Sequence, residues 1–450
     1  MISLEGLPGK GSFPRGLHPP ASKHLAEDSP IEVLPTPEQV AVPMLQHTGA
    51  PCESLVKNKQ EVSAGEMIGK SEAFVSAPVH SPINGVAAMA SVTTLANGRH
   101  VKTQPIKAQG DQLAGEALYE DIFGGDWPKS GLDKHQSKTI VQAVRDAGIV
   151  GMGGAAFPTH VKLTVRPDKP IDTIVVNGCE CEPYLTADYR LMIEAQGPIV
   201  TGALLTAQAC GATQIVIAVE DNKPAAIAKL REAAAGTNIK VASVKTKYPM
   251  GGEKQTVPAT LGRYVPTGGL PLDVGVVVVN VSTAAAIARA VLRSKPLTHR
   301  VVSVSGRGIA TPRNLLVPVG ATHGELIEFC GGLTDDAVRV LAGGPMMGFT
   351  LAELDTPVTK GTSGITALTG QEARRITETN CVRCGRCVDV CPLNLVPTRI
   401  ALAAKANDWD LARRYYITAC VECGCCAHVC PAGIALVQLI RMGKAQMPRD

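Results

Sequence analysis

The chain has little net charge and no unbroken hydrophobic run, and each deficit removes a class of function. A formal charge of +4 over 450 residues is too weak a field to hold a nucleic-acid backbone, so no nucleic acid is expected as a partner. The longest apolar stretch, Val274 to Val291, is broken by Asn280, Ser282, Thr283 and Arg289; it reads as a strand followed by a helix, with no direct membrane span. The first residues, MISLEGLPGKGSFPRG, carry no apolar run after their charges, which argues against a secretory signal and for a chain kept in the cytoplasm. No G-x-G-x-x-G follows a strand, and no nucleophile, histidine and carboxylate stand out as a triad.

What is present is cysteine, in one spelling used twice. Cys381, Cys384, Cys387 and Cys391 precede Pro392, and Cys420, Cys423, Cys426 and Cys430 precede Pro431. Each run is C-x2-C-x2-C-x3-C-P, the spacing that holds a [4Fe-4S] cubane. Soft thiolates suit iron and sulfide, and the short spacings let three sulfurs curl around three corners of one cube before proline turns the chain away. In two-cluster ferredoxins the fourth cysteine of each run serves the other cluster, so the expected sets are Cys381, Cys384, Cys387 with Cys430, and Cys420, Cys423, Cys426 with Cys391. Zinc is the competing reading of paired C-x2-C, but structural zinc takes two separated pairs rather than three cysteines in a run. Disulfides fit worse in a chain that carries no export signal. Cys425 is taken as a non-ligand. The segment from Arg374 onward carries a formal +5 against −1 for the rest, which approximately offsets the charge of about −2 on each oxidised four-thiolate cubane.

The remainder divides by pattern. Residues 1–40 are rich in proline and charge and suggest an extended arm laid on the body. Residues 41–115 read as short strands punctuated by Gly49, Gly65, Gly69 and Gly85, a small β-domain. Residues 133–297 alternate apolar β-branched runs (DTIVVN, QIVIAVE, IKVASVK, VGVVVVN) with helical segments, among them one helix running to Ala209. That alternation predicts a Rossmann-like α/β layer around a buried, mostly parallel sheet. Residues 299–350 predict a β-grasp-like unit with a helix around HGELIEFC. Residues 370–440 predict an all-helical ferredoxin module, because the 28 residues between Cys391 and Cys420 are good helix formers.

Loops at strand ends of the α/β part carry the candidate ligand residues. Gly151, Gly153 and Gly154 permit close approach of backbone N–H groups to a phosphate, with Lys162 as a nearby cation. The strand DTIVVN ends in Asn177, Gly178, Cys179, Glu180, Cys181 and Glu182, where ligands of such sheets bind; Cys179 and Cys181, one residue apart, are not counted as metal ligands. Gly251, Gly252 and Glu253 form another glycine turn, and Asn280 ends the last strand. Together these loops suggest a flat, phosphate-bearing cofactor, a flavin. His47 and His80 are treated as ordinary polar residues.

These motifs carry two resemblances. LVKNKQEVSAGEMIG and APVHSPINGV are similar to the hammerhead half of biotinyl and lipoyl domains, a barrel-sandwich hybrid, but the corresponding tip offers no lysine to modify. HPP at His18 to Pro20, QHTGAPCE, GMGGAAFPTHVKL, CECEPYLTADYRLM, EDNKPAAI, YPMGGEKQ, GGLPLDVGVVVVNV and the ferredoxin runs resemble the RnfC family, the C subunits of the Rnf (Rsx) ion-translocating electron transport complex. The middle part is similar to the flavin- and NADH-binding subunit of respiratory complex I. The resemblance implies FMN over Gly151, Gly153, Gly154, Lys162, Asn177, Glu180, Gly252 and Asn280, with Glu182 and Glu253 as the carboxylates nearest the chemistry and Glu182 toward the nicotinamide. It further implies NADH as donor, two [4Fe-4S] clusters, membrane and iron-sulfur subunits as partners, and a peripheral place on the cytoplasmic side of a bacterial inner membrane. Met152 stands where that relative has arginine, and Cys179 where it has an acidic residue. A noncatalytic electron wire and an NADH-dependent cobalamin reductase remain the alternative functions.

Overall fold

Four apolar runs, Thr173–Gly178, Gln214–Glu220, Ile239–Val244 and Val276–Asn280, are buried along almost their whole length. Strands that face no water on either side need helices on both faces, which parallel crossovers provide. In the computed structural model, described for residues 2–373 and 376–448, they form one parallel sheet with Gln214–Glu220 and Thr173–Gly178 central and Ile239–Val244 and Val276–Asn280 at the edges. Alternate residues feed two cores. Ile174, Val176, Ile217 and Val279 face the helices Gln196–Cys210 and Val281–Arg293, while Val175, Ala218, Val244 and Val278 face the helix Glu253–Leu261. The helix expected to run to Ala209 is two, Ala187–Glu194 and Gln196–Cys210, broken at Ala195 next to Gly197 and Pro198, residues that disfavour an uninterrupted helix.

The N-terminal arm is more than a covering. Leu7 and Phe13 are buried in the second core of the sheet, and Ile31–Val33 pairs in parallel with Arg313–Pro318. Six strands build the β-grasp sheet, in the order Ile31–Val33, Arg313–Pro318, His299–Ser305, Gly364–Thr369, Ala337–Ala342, Phe349–Thr350. Two of them lie outside the expected 299–350 span. Their pairings are long-range, and local periodicity carries no signal for them. The helix His323–Phe329 is closed by a reciprocal cap between Thr322 and Glu325.

The small β-domain packs a five-stranded and a three-stranded sheet around Val40, Val42, Ile68 and Ile106. His47 and His80 are buried there. Among the described residues from 376 to 448 the regular elements are helices: Arg386–Asp389, Pro397–Lys405, Trp409–Arg414, Cys425–His428 and Leu436–Gln446, with a short 3-10 turn at Ile417–Ala419. Arg374, Arg375 and Arg449 of the basic end lie outside the described residues, as do Met1 and Asp450. No helix among the described residues is long and apolar enough to cross a membrane.

Candidate flavin and iron-sulfur site

The register of the parallel sheet sets Asn177 directly beside Asn280 at the carboxyl edge. Three loops close on that edge. Asn177 Nδ2 donates to the Gly251 carbonyl at 2.7 Å, and the Gly251 N–H donates to Cys181 Sγ at 3.3 Å, tying the acidic loop to the glycine turn. Lys162 Nζ reaches Glu253 Oε1 at 2.9 Å and the Val278 carbonyl at 3.2 Å. The Met152 N–H donates to Thr283 Oγ1 at 2.9 Å, and Gly151 N–H to the Phe157 carbonyl at 2.7 Å. These ties leave Gly153 and Gly154 exposed between them. Gly153 has φ +83°, and a Cβ there would sit 2.9 Å from Asn280 Nδ2, so only glycine suits both the backbone and the neighbour. Gly151, Gly153, Gly154, Lys162, Asn177, Gly252, Glu253 and Asn280 therefore converge.

Glu180 and Glu182 take other directions. Glu180, at φ 42°, accepts from the N–H groups of Asp188 and Tyr189 at 2.7 and 3.1 Å, so its carboxylate caps the helix Ala187–Glu194 and shapes the cleft from behind. Glu182 accepts from the Met346 N–H at 3.1 Å, and its Oε1 is buried without a partner. Burial is the leading cause that pushes both carboxyls up to about 7. Two buried lysines hold the loop between them. Lys23 Nζ donates to the carbonyls of Glu180, Glu182 and Leu185 at 2.8, 3.0 and 2.6 Å. Lys223 Nζ donates to the Cys179 carbonyl and to Glu220, both at 2.8 Å. Burial alone lowers Lys223, but Glu220 and Glu180 outweigh it and raise the ammonium.

Sequence reasoning passed over several of these residues. Lys23 lies in an ordinary polar stretch that no local signal marks, and Lys223 lies within the motif EDNKPAAI. Asp188, which accepts from Asn280 Nδ2 at 2.6 Å and Ser282 Oγ at 2.8 Å, sits within the motif CECEPYLTADYRLM. Tyr248 opens the motif YPMGGEKQ, and its hydroxyl donates to the Cys423 carbonyl.

In the helical module the two cysteine runs repeat one geometry. Arg383 and Glu422 share φ near +55° (55° and 57°), and their N–H groups each point at the preceding Cys381 or Cys420 sulfur at 3.4 Å. Cys391, from the first run, lines one cavity with Cys420, Cys423 and Cys426 of the second, walled by Leu395, Ile400, Val437 and Ile440. Cys425, 1% exposed, lies at the same cavity. Burial raises the Cys391 and Cys420 thiols, Cys420 to about 11. Of the other set, Cys387 is buried, Cys381 and Cys430 are half-buried, and Cys384 is exposed. No three His, Cys, Asp or Glu side chains among the described residues close around a single-ion site. A cubane distributes its thiolates over four irons, so Cys391, Cys420, Cys423 and Cys426, four of the five cysteines at this apolar cavity, are the donor set it fits.

The Cys391 set faces the rest of the protein. Arg15 Nη1 donates to the Val388 carbonyl at 2.6 Å and the Gly16 N–H to the Val390 carbonyl at 3.1 Å. Gly424 packs so tightly on Met346 that a Cβ would lie 2.5 Å from its carbonyl oxygen. Arg441 reaches the Met347 carbonyl and Glu422 while stacking over Phe349 at 4.8 Å.

An α/β domain with a glycine-lined cleft, joined to a double cysteine module, defines a flavin- and iron-sulfur-bearing electron-transfer protein. Comparison with known families agrees: residues 144–289 match the Nuo51 FMN-binding domain, 377–434 the 4Fe-4S dicluster domain, 301–350 the SLBB domain and 11–111 the RnfC barrel sandwich hybrid domain. The chain is 42% identical over 395 residues to the C subunit of the proton-translocating ferredoxin:NAD(+) oxidoreductase complex of Clostridium ljungdahlii, covering 87% of this chain and 84% of that protein. It is 41% identical to the C subunit of the Na(+)-translocating ferredoxin:NAD(+) oxidoreductase complex of Acetobacterium woodii, covering 89% of each. The chain belongs to this family, the C subunits of ion-translocating oxidoreductase complexes. A solved NAD+-reducing [NiFe]-hydrogenase is similar to it at 20% identity and TM-score 0.48, over 72% of this chain and 65% of that one.

Proposed function

We infer that this chain is the electron-input subunit of an ion-translocating NADH:ferredoxin oxidoreductase, passing electrons between NADH, FMN and two [4Fe-4S] clusters. The carrying observation is the Tyr248 bridge, which sets the glycine turn of the flavin cleft against the ligand run of the Cys391 set. FMN, when bound, supplies the exchange between two-electron hydride chemistry and the single-electron clusters.

The chain's own residues do the holding and positioning. The exposed Gly153–Gly154 backbone suits a phosphate, with Lys162 as its counter-charge. Lys162 is already paired with Glu253, so Glu253 limits the local positive charge in the absence of phosphate. Asn177 and Asn280 present amides along the sheet edge to orient a ring system. Glu182, buried between this edge and Cys423, is the carboxyl best placed to hold a proton near the reacting centres. Cys420, Cys423, Cys426 and Cys391 hold the inward cluster. Cys381, Cys384, Cys387 and Cys430 hold the outward one, where exposed Cys384 marks the side for other iron-sulfur and membrane subunits. The chain then sits peripherally on the cytoplasmic face of the inner membrane.

The test is an anaerobic NADH titration of the full-length protein reconstituted with FMN, iron and sulfide. Bleaching of the flavin band followed by cluster reduction is expected. Full cluster content without flavin binding would instead make the chain a noncatalytic wire.

A further inference from the structure

Behind the glycine loop, the helix Val281–Arg293 and the strand His299–Ser305 flank a partly open cavity of about 30 Å³, bordered by Met152, Ser282, Arg289, His299 and Arg300. Its contents are unusual in charge. Arg289 is 5% exposed, and its side chain makes no hydrogen bond or ion pair among the described residues; of its nitrogens, Nε is wholly shielded without a partner. Arg300 is 4% exposed; its Nε donates to the Thr362 carbonyl at 3.3 Å, and its Nη1 faces the Met152 sulfur, a weak acceptor. Arginine does not give up its proton inside proteins, so both remain cations.

The neighbouring carboxylates are engaged elsewhere. Asp121 pairs with Lys295 at 2.9 Å, and Asp188 accepts from Asn280 and Ser282. Arg293 adds a further cation, directed at the carbonyls of Asp121 and Gly124. Four cations thus face two carboxylates, and neither Arg289 nor Arg300 has an ion-pair partner. A buried charge left uncompensated is costly. Water would supply an acceptor and no charge.

We propose that this cavity is an anion site, with Arg289 and Arg300 as its ligands and a small inorganic anion of halide size as its occupant. The volume sets the class. A water needs about 10–15 Å³, so a cavity of about 30 Å³ has room for two or three water-sized bodies, enough for a small inorganic anion with a water beside it. The remaining wall, with Leu191, Ala285 and Val301, offers few donors, and a spherical ion needs none in fixed directions. The anion ties the flavin domain to the β-grasp sheet immediately behind Met152. The site is independent of the flavin reading and stands or falls apart from it.

Crystals of the full-length protein grown in bromide are expected to show an anomalous peak between Arg289 and Arg300. The melting temperature is expected to be several degrees higher in chloride than in gluconate at equal ionic strength, and Arg289→Met is expected to erase that difference. Water density alone in the cavity, bromide confined to the outer surface, or equal melting in both salts overturns the site. Should Arg289→Met not fold, the bromide map of the unaltered chain decides.

Discussion

The hydroxyl of Tyr248 donates to the carbonyl of Cys423 at 2.6 Å, joining the glycine turn of the flavin cleft to a ligand loop of the helical module. Tyr248 is 2% exposed, so removing its hydroxyl leaves a part-buried carbonyl without its donor, worth about 1 kcal/mol or more. Tyr248→Phe is expected to lower stability by that order in denaturant titrations and to slow NADH-driven reduction of a one-electron acceptor, at unchanged flavin and iron content. Unchanged rates would mean that the contact plays no part in coupling the two sites.

The interleaved cysteines make an asymmetric expectation. Cys391→Ser should remove the inward cluster, the one held by the second run, while Cys430→Ser should remove the outward one. Each should retain about half the iron and sulfide. Cys425→Ser should retain all of it. Electron paramagnetic resonance of the dithionite-reduced variants distinguishes which signal survives, and the reverse pattern, Cys391→Ser losing the outward signal and Cys430→Ser the inward one, contradicts the crossing of the runs.

Lys23 carries three carbonyls of the acidic loop from the distant arm. That loop contains Glu180 and Tyr184 at φ 42° and 69°, a conformation that L-residues hold only when their surroundings compel it. Lys23→Met, similar in length, should cost at least about 1–3 kcal/mol from orphaned carbonyls and weaken FMN binding measured by fluorescence quenching. Full FMN affinity in this variant would show that the loop keeps its shape unaided.

A pH dependence follows from Lys360, 1% exposed, whose Nζ meets only the carbonyls of Pro78 and Gly148, at 2.5 and 2.7 Å. Burial pushes its ammonium down to about 7. The unfolded chain therefore binds the extra proton above that point, and this group makes stability rise with pH from 7 upward. Below pH 7 the picture is mixed. His47 and His80, held down to about 4 and about 3 chiefly by burial, also make stability rise with pH, while Glu182, raised to about 7, makes it fall. The clean window is pH 7 to about 8.5, below the ordinary thiol range. Lys360→Met should flatten the slope of stability against pH there.

Much of the site could be read from residue order. Apolar β-branched runs alternating with helices specify a buried parallel sheet because no other arrangement covers both faces, and a ligand cleft then falls at its carboxyl edge. Asn177 and Asn280 were legible for that reason. Glu180 and Glu182 were legible as residues of that edge but not in direction, since which carboxylate caps a helix and which turns toward Met346 depends on contacts from the β-grasp loop 343–348. The extra sheet strands Ile31–Val33 and Gly364–Thr369 escaped notice because each pairs with a partner remote in sequence.

Residue spacing alone decided the chemistry: three thiols within seven positions, repeated, leave few options besides a cubane, and glycine at strand ends leaves backbone open to phosphate. Tertiary structure alone decided the arrangement. Tyr248 reaching Cys423, Arg15 reaching Val388 and Lys23 entering the acidic loop all join segments far apart along the chain, and such contacts exist only after apolar burial has brought those segments together.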